Sequence, residues 1–298
     1  MERATEKQVQ SGKRAADSGG QWTGTLALRV LTAVVAIPIV LLVVWLGGWV
    51  AFAAALFVLA WGSYELHQMM AHSGSRPLLW VSFGLGTLLL ISAMLPQWRL
   101  LLLEISLGAA LLVAFPLLFW RERLDGSLVD WALTVVFALY LGWPLSLLLL
   151  LRGSQFGWPP PRGLWWLLLL FAAVWTFDSA AFFTGHFLGR HKLAPHISPG
   201  KTWEGVFGGL LCTLILCLLL ASWLLQVPWY LALILGLALS LAATLGDLAE
   251  SLMKRQAQVK DSGQLMPGHG GLLDRIDSLL FAAVVIYFFS QLVVLVSR

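Results

Sequence analysis

Long apolar runs alternate with short polar joints along this chain. Nine runs stand out, at residues 28–46, 49–64, 78–95, 100–120, 129–151, 164–188, 205–227, 229–245 and 278–296. Most approach the ~20 residues that an apolar helix needs to cross a bilayer. All are too long for a strand, and none alternates as an outer-membrane barrel does. The pattern predicts an all-α polytopic membrane protein with about nine transmembrane helices. The run at 49–64 is short. It fits a tilted partner of the first run, turning at Gly47-Gly48, or a re-entrant hairpin. Residues 1–24 are polar, small and mixed in charge, which predicts a disordered cytoplasmic tail. They are too long and too charged for the first region of a cleaved signal peptide. Residues 25–298 read as a single transmembrane domain, and no convincing internal repeat divides it.

Composition agrees. The chain is 59% hydrophobic with a mean hydropathy of +0.83, against ~45–50% apolar for a soluble domain. A net charge of +4, scattered along the chain, argues against a nucleic-acid partner. The 16 tryptophans, many at run ends, suit interfacial belts as well as packing between helices. Cys212 and Cys217 share one run but, five positions apart, no helix face. This argues against a disulfide, provides no metal-ligand spacing, and leaves them as core or lipid-facing residues.

Lysine and arginine set the orientation. With the N-terminus in the cytoplasm and nine alternating spans, 15 of them fall on the cytoplasmic side and 4 on the other. The expectation is a multi-pass protein of a bacterial-type inner membrane, with its N-terminus and polar site cytoplasmic and its C-terminus outside. Eight spans would reverse the last point.

Chemistry concentrates in residues 246–278. They hold five carboxylates (Asp247, Glu250, Asp261, Asp274, Asp277) and four fixed cations (Lys254, Arg255, Lys260, Arg275). Asp247 and Glu250 are spaced i, i+3, as are Asp274 and Asp277, so each pair shares a face if helical. Clustered carboxylates need a cation, and hard oxygens from two segments suit Mg²⁺ with substrate phosphates as further ligands. The lysines and arginines suit phosphate oxygens. Asp277 or Ser278 also suits the cap of the last helix. His269, among glycines, suits a phosphate contact or the orientation of a ligand.

Two further places qualify. Asp178 follows fourteen nearly uniformly apolar residues, roughly 20 Å into its helix. An acid at that depth is a functional candidate, against the alternative of a helix–helix hydrogen bond. The following loop carries Arg190, Lys192 and Lys201 among glycines, and includes Ser198-Pro199-Gly200-Lys201-Thr202. Its spacing is not that of a nucleotide-binding P-loop, and no strand is expected before it. Backbone N–H groups at the start of the next helix still suit a phosphate. His186, His191 and His196, five apart, read as solvated or packing residues.

The run Ser251-x-Met253-Lys254-Arg255-x4-Lys260-Asp261-x-Gly263-x2-Met266-Pro267-x-His269-Gly270-Gly271-Leu272-x-Asp274-Arg275-Ile276-Asp277 resembles the signature of phosphatidate cytidylyltransferases, the CDP-diacylglycerol synthases. Met266 departs conservatively from the Leu, Ile or Phe usual there. The likeness extends over residues 178–298, including Asp178, Gly185, Gly189 and the segment 198–205, and marks this half as the catalytic part. The first half is similar only in being a set of spans.

The resemblance implies transfer of a cytidylyl group from CTP to phosphatidate, giving CDP-diacylglycerol and pyrophosphate for phospholipid synthesis. It implies Mg²⁺ on Asp247 and Asp274, with room for a second cation. The candidate site is then Asp247, Asp274, Lys254, Lys260 and Asp277 for catalysis. Arg255, Arg275, His269, Lys201, Ser198 and Asp178 serve substrate binding. CTP, phosphatidate and membrane lipids are the expected partners, and monomer and homodimer both remain open. Two rivals stand beside this reading. One is another membrane lipid phosphotransferase, although the D-G-x2-A-R core of CDP-alcohol phosphatidyltransferases is absent. The other is an ion-coupled transporter using Asp178.

Overall fold

In the computed structural model, which describes residues 34–119, 125–153, 162–263, 265 and 270–296, every described stretch of the nine runs is mainly helical. The expected tail and His269 lie outside the described residues. In chain order the helices are α1 Val34–Leu46, α2 Gly48–His72, α3 Leu79–Met94, α4 Arg99–Leu112, α5 Ser127–Phe137 and α6 Trp143–Gly153. They continue with α7 Arg162–Leu188, α8 Trp203–Leu224, α9 Trp229–Gln256 and α10 Leu273–Val296. A 3₁₀ turn leads into α4, and a π-turn at Ala138–Gly142 joins α5 to α6. Among the described residues seven segments are long and apolar enough to cross a membrane, while α1 and α3 are shorter apolar helices. A multi-pass helical membrane fold follows.

Three boundaries correct the expectations. The doubtful second run is neither short nor a hairpin: α2 is a continuous helix of 25 residues. It persists past Tyr64 because Leu66, Met69 and Met70 bury themselves beyond the apolar run proper. The run expected to end at Leu245 continues as α9 to Gln256. There Glu250 and Lys254 pair at i, i+4, 3.3 Å apart, and straight-chain residues favour the helix after hydrophobicity has fallen. The last helix opens at Leu273, so Asp277 sits inside it and not at its cap. Asp277 Oδ1 instead accepts from the Ser278 N–H at 2.6 Å.

The all-α expectation also needs one amendment. Lys192–Ala194 (β1) and Ser198–Thr202 (β2) form a two-stranded antiparallel hairpin between α7 and α8. Such short strands, one containing Pro199 and Gly200, carry no readable alternation. Thr202 ends the hairpin and starts α8, its hydroxyl accepting from the Gly205 N–H at 3.2 Å. Glu204 accepts from the backbone N–H groups of Arg190 (3.1 Å) and His191 (3.2 Å), which ties the end of α7 to the start of α8.

In lipid, close backbone approach does much of the work that the hydrophobic effect does in water. A Cβ on Gly205 would lie 2.8 Å from the Ala181 carbonyl, so α7 and α8 touch nearly backbone to backbone. A Cβ on Gly246 would lie within contact of the Asp277 carbonyl and Ser278 Cα, which joins α9 to α10 in the same way. One core gathers α7, α9 and α10 around Leu170, Leu235 and Ile286. A second gathers α2 and α6 around Leu59, Leu66 and Leu145, and reaches α10 through Leu273. Helix α10 is therefore shared by both halves of the molecule. Cys212 is exposed and Cys217 buried on α8, both free, as expected.

Candidate active site

The end of α7, the β-hairpin, the start of α8, the end of α9 and the start of α10 converge at one end of the bundle. They enclose a cavity of about 830 Å³. Asp178, Asp247, Asp261, Asp274 and Asp277 line it, with Lys192, Lys201, Lys254 and Arg275. Two helix pairs in backbone contact, α7–α8 and α9–α10, supply most of the wall.

Two of the carboxylates face ammonium groups. Lys201 Nζ lies 2.6 Å from Asp247 Oδ2, and Asp247 Oδ1 accepts from the Ser251 hydroxyl at 3.3 Å. Lys254 Nζ lies 2.5 Å from Asp274 Oδ1 and 3.3 Å from Glu250 Oε2. The Glu250 side chain is fully buried, and among the described residues neither of its oxygens has a hydrogen-bond partner. The two oxygens of Asp274 have different tasks. Oδ2 takes the N–H of Ser262 (2.9 Å), the Ser262 hydroxyl (3.0 Å) and the N–H of Gly271 (2.9 Å). Its lone pairs are committed to holding Ser262 and Gly271. Oδ1 is left for a cationic partner.

The sequence-predicted residues divide accordingly. Asp178, Ser198, Lys201, Asp247, Lys254, Asp274, Arg275 and Asp277 are brought onto one cavity. Asp178 is exposed on the cavity wall, which removes the need for a separate ion path to explain that acid. Arg255 is exposed on α9 and its Nε donates to the Ile197 carbonyl at 3.1 Å, so it clasps the hairpin to α9. Lys260 is exposed and stands off the cavity wall. His269 lies outside the described residues. His191 pairs with Glu204 at 2.6 Å, in keeping with a packing role, whereas His186 lines the cavity.

Two participants escaped the sequence reading. Lys192, read there only as one of several loop cations, adds a further positive group to the wall. Glu65, on α2, is 3% exposed and accepts from the N–H groups of Leu272 (2.9 Å) and Leu273 (3.0 Å) at the start of α10. One signal was available: Glu65 is the sole Asp, Glu, Lys or Arg in the 25 residues of α2, the same anomaly that singled out Asp178.

Magnesium fits this donor set. Among the described residues no three His, Cys, Asp or Glu side chains form a ready metal cage. Mg²⁺ does not need one, because it keeps waters and binds through one or two carboxylates plus substrate phosphates. Asp247 and Asp274 each offer an oxygen already facing a cation, and the buried Glu250 shares Lys254 with Asp274.

Known proteins match over most of the chain. The model of the Cytidylyltransferase family matches residues 27–293. A phosphatidate cytidylyltransferase of Brucella suis is 37% identical over 268 residues, which cover 90% of this chain and 94% of that protein. Those of Synechocystis and Staphylococcus epidermidis are 35% and 34% identical, covering 88% and 86% of this chain and 95% of each relative.

Proposed function

The chain belongs to the cytidylyltransferase family, and on that premise we propose how its site works. It transfers a cytidylyl group from CTP to phosphatidate, releasing pyrophosphate and leaving CDP-diacylglycerol in the membrane. The observation that carries the reading is the convergence of four carboxylates from three helices with Lys201, Lys254 and Arg275 on one cavity.

A phosphate-monoester oxygen of phosphatidate attacks the α-phosphorus of CTP. A new P–O bond forms there, the bond to the bridging oxygen breaks, and its electron pair leaves with pyrophosphate. The attacking oxygen is ionised near neutral pH, since a phosphate monoester has its second pKa at about 6. No side chain has to take a proton from it. What the chain must do is align two polyanions and offset their repulsion. Lys201 and Lys254 are held in the free site by Asp247 and Asp274. When phosphates enter, each ammonium exchanges its carboxylate for phosphate oxygens, which frees an oxygen of either aspartate for Mg²⁺. When bound, Mg²⁺ supplies charge stabilisation at the α-phosphate and the leaving group. Arg275 and Lys192 add positive charge at the wall, and Ser198 adds a hydroxyl. Arg255 keeps the hairpin, and with it Ser198 and Lys201, against α9.

The position of the label in CTP tests the reaction. In detergent micelles with phosphatidate, label in the α-phosphate is expected in the lipid phase, and label in the γ-phosphate in released pyrophosphate. A lipid kinase would put γ-label into lipid. A transporter would put neither there.

We place this face in the cytoplasm. Lys192, Lys201, Lys254, Arg255, Lys260 and Arg275 all belong to it, in line with the positive-inside bias. At the opposite end Arg152, closing α6, donates to the carbonyls of Val44 (2.7 Å) and Trp45 (2.8 Å) at the end of α1. Contacts between those two ends, and between the end of α2 and the start of α10, suit nine alternating crossings. With Cys212 and Cys217 replaced, single cysteines at Gln256 and Gln155 should label from opposite faces. An impermeant thiol reagent is expected to reach position 155 in intact cells and position 256 only after lysis. Labelling of both in intact cells contradicts the orientation.

A further inference from the structure

We infer that Glu65, in the half of the chain outside the signature, is a positioning residue for Asp274, acting through Ser262 and the first turn of α10. The inference rests on the reading of Asp274 as a metal-holding residue. Helix α10 opens with N–H groups that have no intrahelical partner. A distant helix satisfies two of them: Glu65 Oε1 accepts from Leu272 and Oε2 from Leu273. Trp61 Nε1 donates to Oε1 at 3.0 Å, one turn back on α2. The Ser262 hydroxyl lies 3.2 Å from Oε2 and 3.0 Å from Asp274 Oδ2. One serine thus stands between two carboxylates.

Packing leaves this arrangement little latitude. A Cβ on Gly263 would lie 2.5 Å from Glu65 Oε1, and one on Gly271 would lie 2.7 Å from Oε2. Gly263 and Gly271 are both pressed against the carboxylate. Glu65 is buried with three N–H donors converging on it, the single Ser262 O–H proton is shared between it and Asp274, and among the described residues no cation pairs with it, a placement that the positive end of a helix makes favourable. It does not line the cavity. Its effect on catalysis runs through where it sets Leu272 and Leu273, and hence Asp274 one residue on.

Glu65→Gln keeps the shape but turns one acceptor into a donor, so that N–H faces N–H or O–H at one end of the side chain. Glu65→Asp keeps both oxygens, one methylene short. The measurements are kcat, the KM for phosphatidate and the Mg²⁺ concentration for half-maximal rate, in micelles, with thermal unfolding as control. E65Q should lower kcat by at least ~10-fold, within the range for a misplaced catalytic group. It should raise the half-saturating Mg²⁺ several-fold and leave the KM for phosphatidate within about twofold. E65D should recover part of both losses. E65Q and S262A should be non-additive, the double variant being little worse than the poorer single one. Should E65Q fail to fold, E65D carries the test, with half-saturating Mg²⁺ raised at least about twofold. A Mg²⁺ requirement unchanged from the wild type in the folded variant, or additive E65Q and S262A effects, overturns the inference. A wild type that needs no divalent cation overturns the metal reading on which it rests, and is recognised before any variant is made.

Discussion

Asp274→Asn is expected to reduce turnover by at least ~100-fold, the scale for losing one key electrostatic group at a phosphate-transferring centre. The substitution keeps size and removes charge, but the geometry makes it more than a charge deletion. Oδ2 holds Ser262 and Gly271 through three donors, and Oδ1 holds Lys254. An asparagine must direct its NH₂ at one of these two sets, so donor faces donor whichever way it turns. A folding cost of about 1–3 kcal/mol accompanies the lost activity. Thermal unfolding in micelles measures that cost, and the rate at saturating Mg²⁺ measures the chemistry. Near-normal turnover under those conditions would remove Asp274 from the metal site.

How much of this was open to sequence reading depends on the range of the interactions. Asp247, Lys254, Asp274 and Asp277 were legible because charge is rare in this chain and is concentrated in residues 246–278. Asp178 was legible from its depth in an apolar run. The end of α9 was not, because hydrophobicity stops at Leu245 while helix propensity and the Glu250–Lys254 pair carry the helix on. The hairpin was not, because three and five residues are too few for alternation to register. Glu65 lies 207 positions before Leu272, and no local pattern anticipates a cap supplied from so far away. Arg255 and Lys260 show the converse limit. Both sit in the signature as well-placed cations, yet one holds the hairpin and the other stands off the cavity.

Lys254→Met should have the second large effect, and it separates catalysis from folding differently. The lysine side chain is 13% exposed and lies between Asp274 and fully buried Glu250. Methionine keeps most of the apolar stem and removes the ammonium. Two buried carboxylates then lose their cation together, and breaking a buried pair costs about 3–5 kcal/mol. Activity should fall by at least ~100-fold, with an unfolding midpoint in micelles lower by several degrees. Adding Glu250→Gln to K254M should restore much of the thermal stability, because it removes the uncompensated charge, while activity stays low. If the double variant regains turnover, the ammonium serves only to neutralise Glu250 and contacts no phosphate.

The central claim is that carboxylates from α9 and α10 hold a divalent cation against the phosphates of CTP and phosphatidate. Its most direct test is metal dependence of the purified protein in detergent micelles, without sealed compartment or gradient. Two polyanions and clustered carboxylates repel one another without a cation. Formation of labelled CDP-lipid should therefore cease in excess EDTA and return when Mg²⁺ is restored. Full activity in EDTA, with removal of the metal verified in the sample, would contradict the account even if CDP-diacylglycerol were the product.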